Sequence, residues 1–270
     1  MCKNSNCEKV KLLQQKQLEI LKEIIRICEK YKIQYTMAYG SLIGAVRHNG
    51  FIPWDDDLDI IMMRQDLDKF KEVATKELKF PYFFQDYTTD KEYPGTIIKI
   101  RDTGTTLIEN GYRNLKKMNH GIWVDILVAD EYKKSHINYI RRKLLRFYKR
   151  VLLERASDKH SFFARFSCLF PREGTFRACD ALLRRMGGKK PTNDCIVLDY
   201  IYSKSMITDT TVMKFEGIDV SVPKEYDNML RQIYGDYMKL PPKEQQIPRH
   251  MTELFSLDVS SDEYFRKNDC

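Results

Sequence analysis

The 270-residue chain carries 46 Lys and Arg against 38 Asp and Glu, a formal net charge of +8, with 43% hydrophobic residues, 16 Tyr and 14 Phe. That length and aromatic content suit a buried core and exclude a disordered chain, while the positive balance accommodates nucleic acid, an anionic membrane surface or a phosphorylated substrate without choosing among them. The seven cysteines, odd in number and without a C-x-x-C pair, speak against a disulfide framework or zinc site, and with no apolar leader and no run near the ~18 residues of a membrane span a cytoplasmic protein with at most peripheral membrane contact is expected.

From Val10 to Tyr31 apolar residues recur at helical spacing between lysines and glutamates, which predicts an amphipathic helix. Ile33 to Tyr39 reads as a short strand, Gly40-Ser41 as a turn, Leu42 to His48 as a short helix and Asn49-Gly50 as its stop. Pro53 opens an extended segment. A helix from Asp66 to about Leu78 follows, then strands at Thr96 to Arg101 and Ile122 to Val128. Interleaved strands and helices favour an α+β fold with an α/β-type core, a mixed sheet flanked by helices, over a bundle or a sandwich. Beyond residue 130 come a basic helix from His136 to Arg155, a Gly-Gly-Lys-Lys-Pro loop at 187 to 191 and further C-terminal helices. One unit is expected, with a core over roughly 10–130 and an accessory basic and helical region over 131–270.

The chemistry concentrates in Asp55, Asp56, Asp57 and Asp59. In a strand, residues two apart share a face about 6.5 to 7 Å apart, so Asp57 and Asp59 would point one way while Leu58 and Ile60 enter the core. At an effective dielectric of about 20, two such charges about 5 Å apart repel by about 3 kcal/mol, which a divalent cation would relieve. Oxygen-only ligands favour magnesium or manganese. Asp56, of opposite parity, is better explained as a cap or ion-pair partner. Asp125 interrupts the apolar run Gly121-Ile-Trp-Val-Asp-Ile-Leu-Val and needs either a cation or a donor; joining the metal set and pairing with a basic residue both answer that need. Gly40 and Ser41, at a strand-to-helix junction, fit phosphate binding by backbone amides, although ordinary turns often carry the same pair.

Around this centre, Arg47, His48, Lys99 and Arg101 are candidates for phosphate contact or for salt-bridged faces. Trp54 and Trp123 adjoin the carboxylates and serve either to stack on a ligand or to pack the core. The basic helix from His136 carries Ile137, Ile140, Leu144, Tyr148 and Val151 at helical spacing among Arg141, Arg142, Lys143, Arg146, Lys149 and Arg150. Docking on an anionic leaflet and a solvated face packed on the core are the two readings.

Gly-Ser after a strand, then Asp-hydrophobic-Asp, then a later strand Asp resemble the nucleotidyltransferase superfamily, and residues 39–60, YGSLIGAVRHNGFIPWDDDLDI, resemble the LicD family, related to the fukutin-type transferases. Lys99-Ile-Arg101 with Thr105, Trp123-Val-Asp125-Ile, and Tyr234 to Pro242 with a downstream His250 agree more loosely, so the likeness spans about residues 10–255. The resemblance implies a nucleotidyltransferase-like fold and a magnesium-dependent transfer of phosphocholine or a similar phosphoalcohol. The donor would be CDP-activated, for example CDP-choline. The acceptor would be a hydroxyl of a cell-surface glycan or its lipid-linked precursor, such as lipopolysaccharide or teichoic acid. By that analogy Asp57, Asp59 and Asp125 would hold the metal, Gly40 and Ser41 would bind donor phosphate, and Asp125 or a metal-bound hydroxide would take the acceptor proton. Transfer of the nucleotide itself is the enzymatic alternative. A basic RNA-binding module is the alternative of another class, opposed by the lack of RNP, KH or zinc-knuckle signatures, so no nucleic-acid partner is expected.

Overall fold

The computed structural model describes residues 4–109, 111–156, 171–250 and 254–268. Cys2, Cys168 and Cys270 lie outside these, as does the side chain of Val151; Cys28, Cys179 and Cys195 are buried thiols outside any disulfide among the described residues.

The fold is α+β. Helix α1 (Asn4–Tyr31) presents Leu13, Ile20, Leu21, Ile24 and Ile27 to the core, all fully buried, and packs across the sheet with α3 (Arg64–Glu77). Full burial of each such side chain contributes about 1.5 to 3 kcal/mol. The sheet has seven strands: β1 (Thr36–Met37), β2 (Asp59–Met63), β6 (Ile122–Tyr132), β4 (Ile98–Asp102) and β3 (Tyr82–Gln85) in that order, with β7 (Asp194–Val197) on the far end of β6 and β8 (Tyr200–Ser203) on β7. Only β2 and β6 run parallel within it; every other pair is antiparallel.

Several predicted boundaries shift. The strand expected over Ile33 to Tyr39 shrinks to Thr36–Met37, because Lys32, in the left-handed region at φ 52°, and Ile33, whose amide bonds Cys28 O, close the end of α1. Gly40 and Ser41 are not a turn: they sit in the first turn of α2 (Tyr39–His48), which ends as expected at Asn49, in the left-handed conformation. Strand β2 begins at Asp59, so Asp57 lies in the irregular approach to the strand and not on its face. The helix predicted from Asp66 starts two residues earlier, and the strand predicted to stop at Val128 continues to Tyr132 because β7 pairs with its second half.

After the basic helix α4 (His136–Ala156) and α5 (Arg172–Arg184), the chain re-enters the sheet as β7 and β8. A small cluster of Tyr132, Leu145, Cys179, Met186 and Ile196 fastens α4 and α5 to that end. After the one-turn helix α6 (Ser205–Thr208), the hairpin β9 (Thr210–Phe215) and β10 (Ile218–Pro223) lies on β1 and α2, and β11 (Phe255–Ser256) pairs with β5 (Thr106–Leu107). Among the described residues no helix is long and apolar enough to cross a membrane.

Candidate active site

Strand register builds the centre of the site. Asp59 of β2 is opposite Asp125 of β6, and Asp125 is opposite Lys99 of β4. These three side chains therefore lie in one row across three strands. Two positions along, Arg101 and Trp123 occupy the same face by the alternation of strands.

Each member of the row has a defined environment. Lys99 Nζ donates to Asp125 Oδ1 at 2.8 Å and pairs with Glu109 at 3.5 Å. The indole of Trp123 donates to Asp125 Oδ2 at 3.2 Å, while Lys99 Nζ stands 4.1 Å and Arg101 Cζ 4.9 Å from its ring centroid. Asp125 thus has the basic partner that a buried carboxylate needs. Burial still pushes its carboxyl above the ordinary range, against the pull of Lys99. Asp59 differs: its carboxylate accepts no hydrogen bond from the described residues, and burial together with repulsion from Asp57, Asp125 and Asp55 drives its pKa well up.

The approach to β2 is held from three sides. Within α1, Gln14 Nε2 donates to Ile52 O at 3.1 Å and Asp55 O at 2.8 Å, and Gln17 Nε2 donates to Asp56 O at 3.0 Å. Asp56 is buried, and its carboxylate accepts the amides of Arg249 at 3.0 Å and His250 at 2.7 Å, a structural clasp between distant parts of the chain. At the start of α2, Ser41 Oγ accepts the Asp59 amide at 2.8 Å, and the Ala38 amide donates to Asp59 O at 3.0 Å. A Cβ at Gly40 would fall 2.4 Å from Asp55 Oδ2, so glycine is required for that carboxylate to lie against the helix.

Asp57 faces His250, with Oδ2 3.1 Å from Nε2. Burial works to raise the Asp57 carboxyl, but the His250 bond overcomes it and leaves the pKa lowered; the same bond lifts His250 to about 8. Asp55, buried and repelled by Asp57 and Asp56, is pushed up to about 8. Tyr39 and Tyr234, the latter on α7 (Tyr226–Tyr234), flank the carboxylates: burial raises both phenols, and the Asp59 charge raises them further.

The remaining predicted residues divide. Arg47 Nη1 donates to Tyr237 O at 2.5 Å and its Nε to His48 Nδ1 at 3.4 Å, so both side chains sit at the end of α2 against the segment that follows α7. Trp54 packs partly buried on the core. Arg101 is fully buried and spent on Gln85 Oε1, Gly121 O and Glu109. Sequence reading passed over Gln14, Gln17 and Glu109, and named Asp55 in the acidic cluster without giving it a role. The glutamines carried a usable signal, polar residues inside the apolar stripe of α1; Glu109 carried none, standing alone in a loop.

The donor set suits a hard cation, being entirely carboxylate oxygen with one member, Asp59, lacking a hydrogen-bond donor among the described residues. In the arrangement described, no three His, Cys, Asp or Glu side chains among the described residues converge on a common point: Asp57 is turned to His250 and Asp125 to Lys99.

Comparison with known proteins follows the same residues. The LicD/FKTN/FKRP nucleotidyltransferase domain model matches residues 32–138, which include α2, β2, β4 and β6. The chain is 30% identical to the lipopolysaccharide cholinephosphotransferase LicD of Haemophilus influenzae over 268 aligned residues, covering 89% of this chain and 95% of that protein. An uncharacterized protein of Rickettsia prowazekii is 32% identical over 115 residues, covering 42% of this chain and 39% of its own length.

Proposed function

As the chain belongs to the LicD family, we propose that it is a transferase that moves phosphocholine, or a similar phosphoalcohol, from a CDP-activated donor to a hydroxyl of a cell-surface glycan or its lipid-linked precursor. The observation that carries this reading is the Haemophilus influenzae relative, a cholinephosphotransferase matched along nearly its whole length. The row of Asp59, Asp125 and Lys99, with Asp57 and Asp55 at its entrance, supports it, because phosphoryl transfer needs mainly positioning and charge neutralisation.

In this reading the acceptor hydroxyl attacks the phosphorus that bears the alcohol, the bond to the bridging oxygen breaks, and CMP leaves. Asp125 accepts the hydroxyl proton. Lys99 and Trp123 orient it. Magnesium or manganese on Asp57, Asp59 and Asp125 would supply neutralising charge for the diphosphate. The first-turn amides of α2 at Gly40 and Ser41 and the Arg47–His48 pair at its other end are the phosphate contacts that this reading assigns. A nucleotide-activated donor goes with a cytoplasmic location.

The test is incubation with magnesium, a lipopolysaccharide acceptor and a panel of CDP-alcohols, with CMP release followed. Release with CDP-choline, abolished by chelator, is the expected result. Release with no CDP-alcohol would overturn the reading, and an acceptor that carries an intact CMP moiety would replace it with nucleotidyl transfer.

A further inference from the structure

Three tyrosines from three elements stand together at the Asp59 end of the row. Tyr39 opens α2, at a φ of 45° that a residue other than glycine rarely holds, and the Ala38 amide beside it donates to Asp59 O at 3.0 Å. Tyr200 opens β8, its ring centroid 6.4 Å from that of Tyr39 and its plane tilted by 53°. On its other flank Tyr200 stacks on the fully buried Tyr202, centroids 6.2 Å apart, which fixes its orientation. Tyr234 closes α7, and Gln232 of that helix ties it to β8 by donating Nε2 to Ile201 O at 3.1 Å.

The surroundings of these rings favour one sign of charge. Burial raises the phenols of Tyr39 and Tyr234; the Asp59 charge reaches both, and those of Asp55 and Asp57 reach Tyr234 as well. Tyr200 and Tyr234 nevertheless keep 40% and 45% of their surface exposed, so a ligand on its way to the carboxylates meets them. Among the described residues no Lys or Arg stands over any of the three rings. The face of Trp123 is by contrast taken by the chain's own cations, with Lys99 and Arg101 at 4.1 and 4.9 Å from its centroid. Aromatic faces without such a cation, set beside carboxylates, attract positive charge from outside.

From the three rings and the carboxylates beside them, we propose that Tyr39, Tyr200 and Tyr234 form the subsite that holds the quaternary ammonium of the transferred alcohol, and so select choline over a polyol such as glycerol. A trimethylammonium group carries its charge beneath methyl groups and donates no hydrogen bond, so ring faces near negative charge hold it best. A primary ammonium brings three N–H donors and calls for acceptor oxygens in contact with it, and a polyol gains nothing from the negative potential. A stacked sugar fits less well, because rings tilted by 53° do not make a flat platform. The place suits the role: the tyrosines flank Asp59, while Lys99 closes the opposite end of the row. The part this subsite plays in a reaction rests on the transferase reading; its capacity to bind choline does not.

The experiment uses choline as the probe, titrated by calorimetry into the full chain with glycerol as the control, so that binding is read apart from transfer. Choline is expected to bind and glycerol is not. Tyr200→Leu and Tyr234→Leu should each weaken choline binding by about tenfold, whereas Tyr200→Phe and Tyr234→Phe, which keep the ring, should bind choline as the unaltered chain does. Both positions are partly exposed, so these substitutions leave the core intact. In the CMP-release assay the leucine variants should show a raised KM for CDP-choline and lose their preference for it over CDP-glycerol. Choline binding in a protein that releases CMP from no CDP-alcohol would keep the subsite and remove the reaction. Choline that fails to bind the unaltered chain, binds it no better than glycerol, or binds the leucine variants equally well overturns the proposal, as do phenylalanine variants that bind no better than the leucine ones.

Discussion

Asp59 and Glu109 show how two carboxylates that feel the charge of the same lysine are put to opposite uses. Asp59 has no donor among the described residues and is repelled by Asp57, Asp125 and Asp55. Substituting Asp59→Asn removes charge from this cluster, so the variant is expected to lose turnover by orders of magnitude yet melt at the same or a higher temperature without metal, whereas Asp57→Asn, which gives up the charged bond to His250, is expected to lose turnover and to melt lower. CMP release and thermal melting measured side by side check this, and a variant that retains full activity would remove its residue from the assigned site. Glu109 is the stabilising member: burial pushes it up, but Lys99 and Arg101 overcome that and hold it at about 2. A folded pKa below the ordinary 4.5 contributes stability that is present above 4.5 and is lost as pH falls from there through about 2; a depression of this size corresponds to about 3 kcal/mol. Glu109→Gln should therefore lower stability near neutral pH by about 3 kcal/mol, as the two cations lose their partner, and flatten the acid limb of the denaturation profile. Asp56 was set apart as a structural residue, although the strand parity invoked for it does not exist in the irregular stretch that carries it. The Asp cluster was legible in the sequence because like charges so close demand an explanation. Glu109 and the Asp57–His250 contact were not, since each depends on which loop the chain folds beside the strand.

At the scale of elements, the short helix α2 and the long helix α1 together hold the irregular stretch that leads into β2. The apolar stripe of α1 was visible at helical spacing, with Gln14 and Gln17 as polar residues inside it, but the sequence did not disclose that they turn their amides onto the backbone of residues 52, 55 and 56. A strand was expected to carry Asp57, and the chain supplies those hydrogen bonds from a helix instead. Replacing Gln17 by Leu leaves the buried Asp56 carbonyl without that donor, a loss of about 1 to 3 kcal/mol, and frees the carbonyl-bearing loop to move. Reduced turnover with CDP-choline, out of proportion to the loss in urea stability, is the expected result. Equal activity in the variant would mean that the Asp56 clasp on Arg249 and His250 positions the loop by itself. Parity arguments found the shared face of Lys99 and Arg101 for a related reason: β4 is regular, so alternation holds along it. Where the backbone is irregular, between Pro53 and Leu58, parity has no such hold.

Across the whole molecule, the mixed α+β architecture could be read from interleaved strand and helix patterns, but the return of the chain to its own sheet could not. Residues 131–270 were expected to form an accessory region; in the fold Asp194–Val197 pair with the second half of β6, Ala129 with Val197 and Tyr132 with Asp194. Short strands such as β7 and β8 leave little periodicity in a sequence, and nothing local says which edge they will join. Other long-range ties run the same way: Phe51 meets Phe215 at 4.8 Å between centroids, Glu216 Oε1 accepts the Phe51 amide at 3.1 Å, and Tyr35 Oη accepts the Ser221 amide at 3.3 Å. Cutting the chain after residue 133 would expose the second half of β6 as an unpaired edge, uncover Met37 and Phe51 on the β1 side, and leave Asp56 without the amides of Arg249 and His250. Each of these carries a cost comparable with the few kcal/mol by which a domain is stable. The 1–133 fragment is therefore expected to be insoluble or to lack a cooperative melt, whereas the full chain should unfold in one transition, coincident by far-ultraviolet circular dichroism and by tryptophan fluorescence, both indoles lying at residues 54 and 123. A fragment that melts cooperatively by itself, or two separated transitions in the full chain, would show that the later strands merely decorate a core already stable without them.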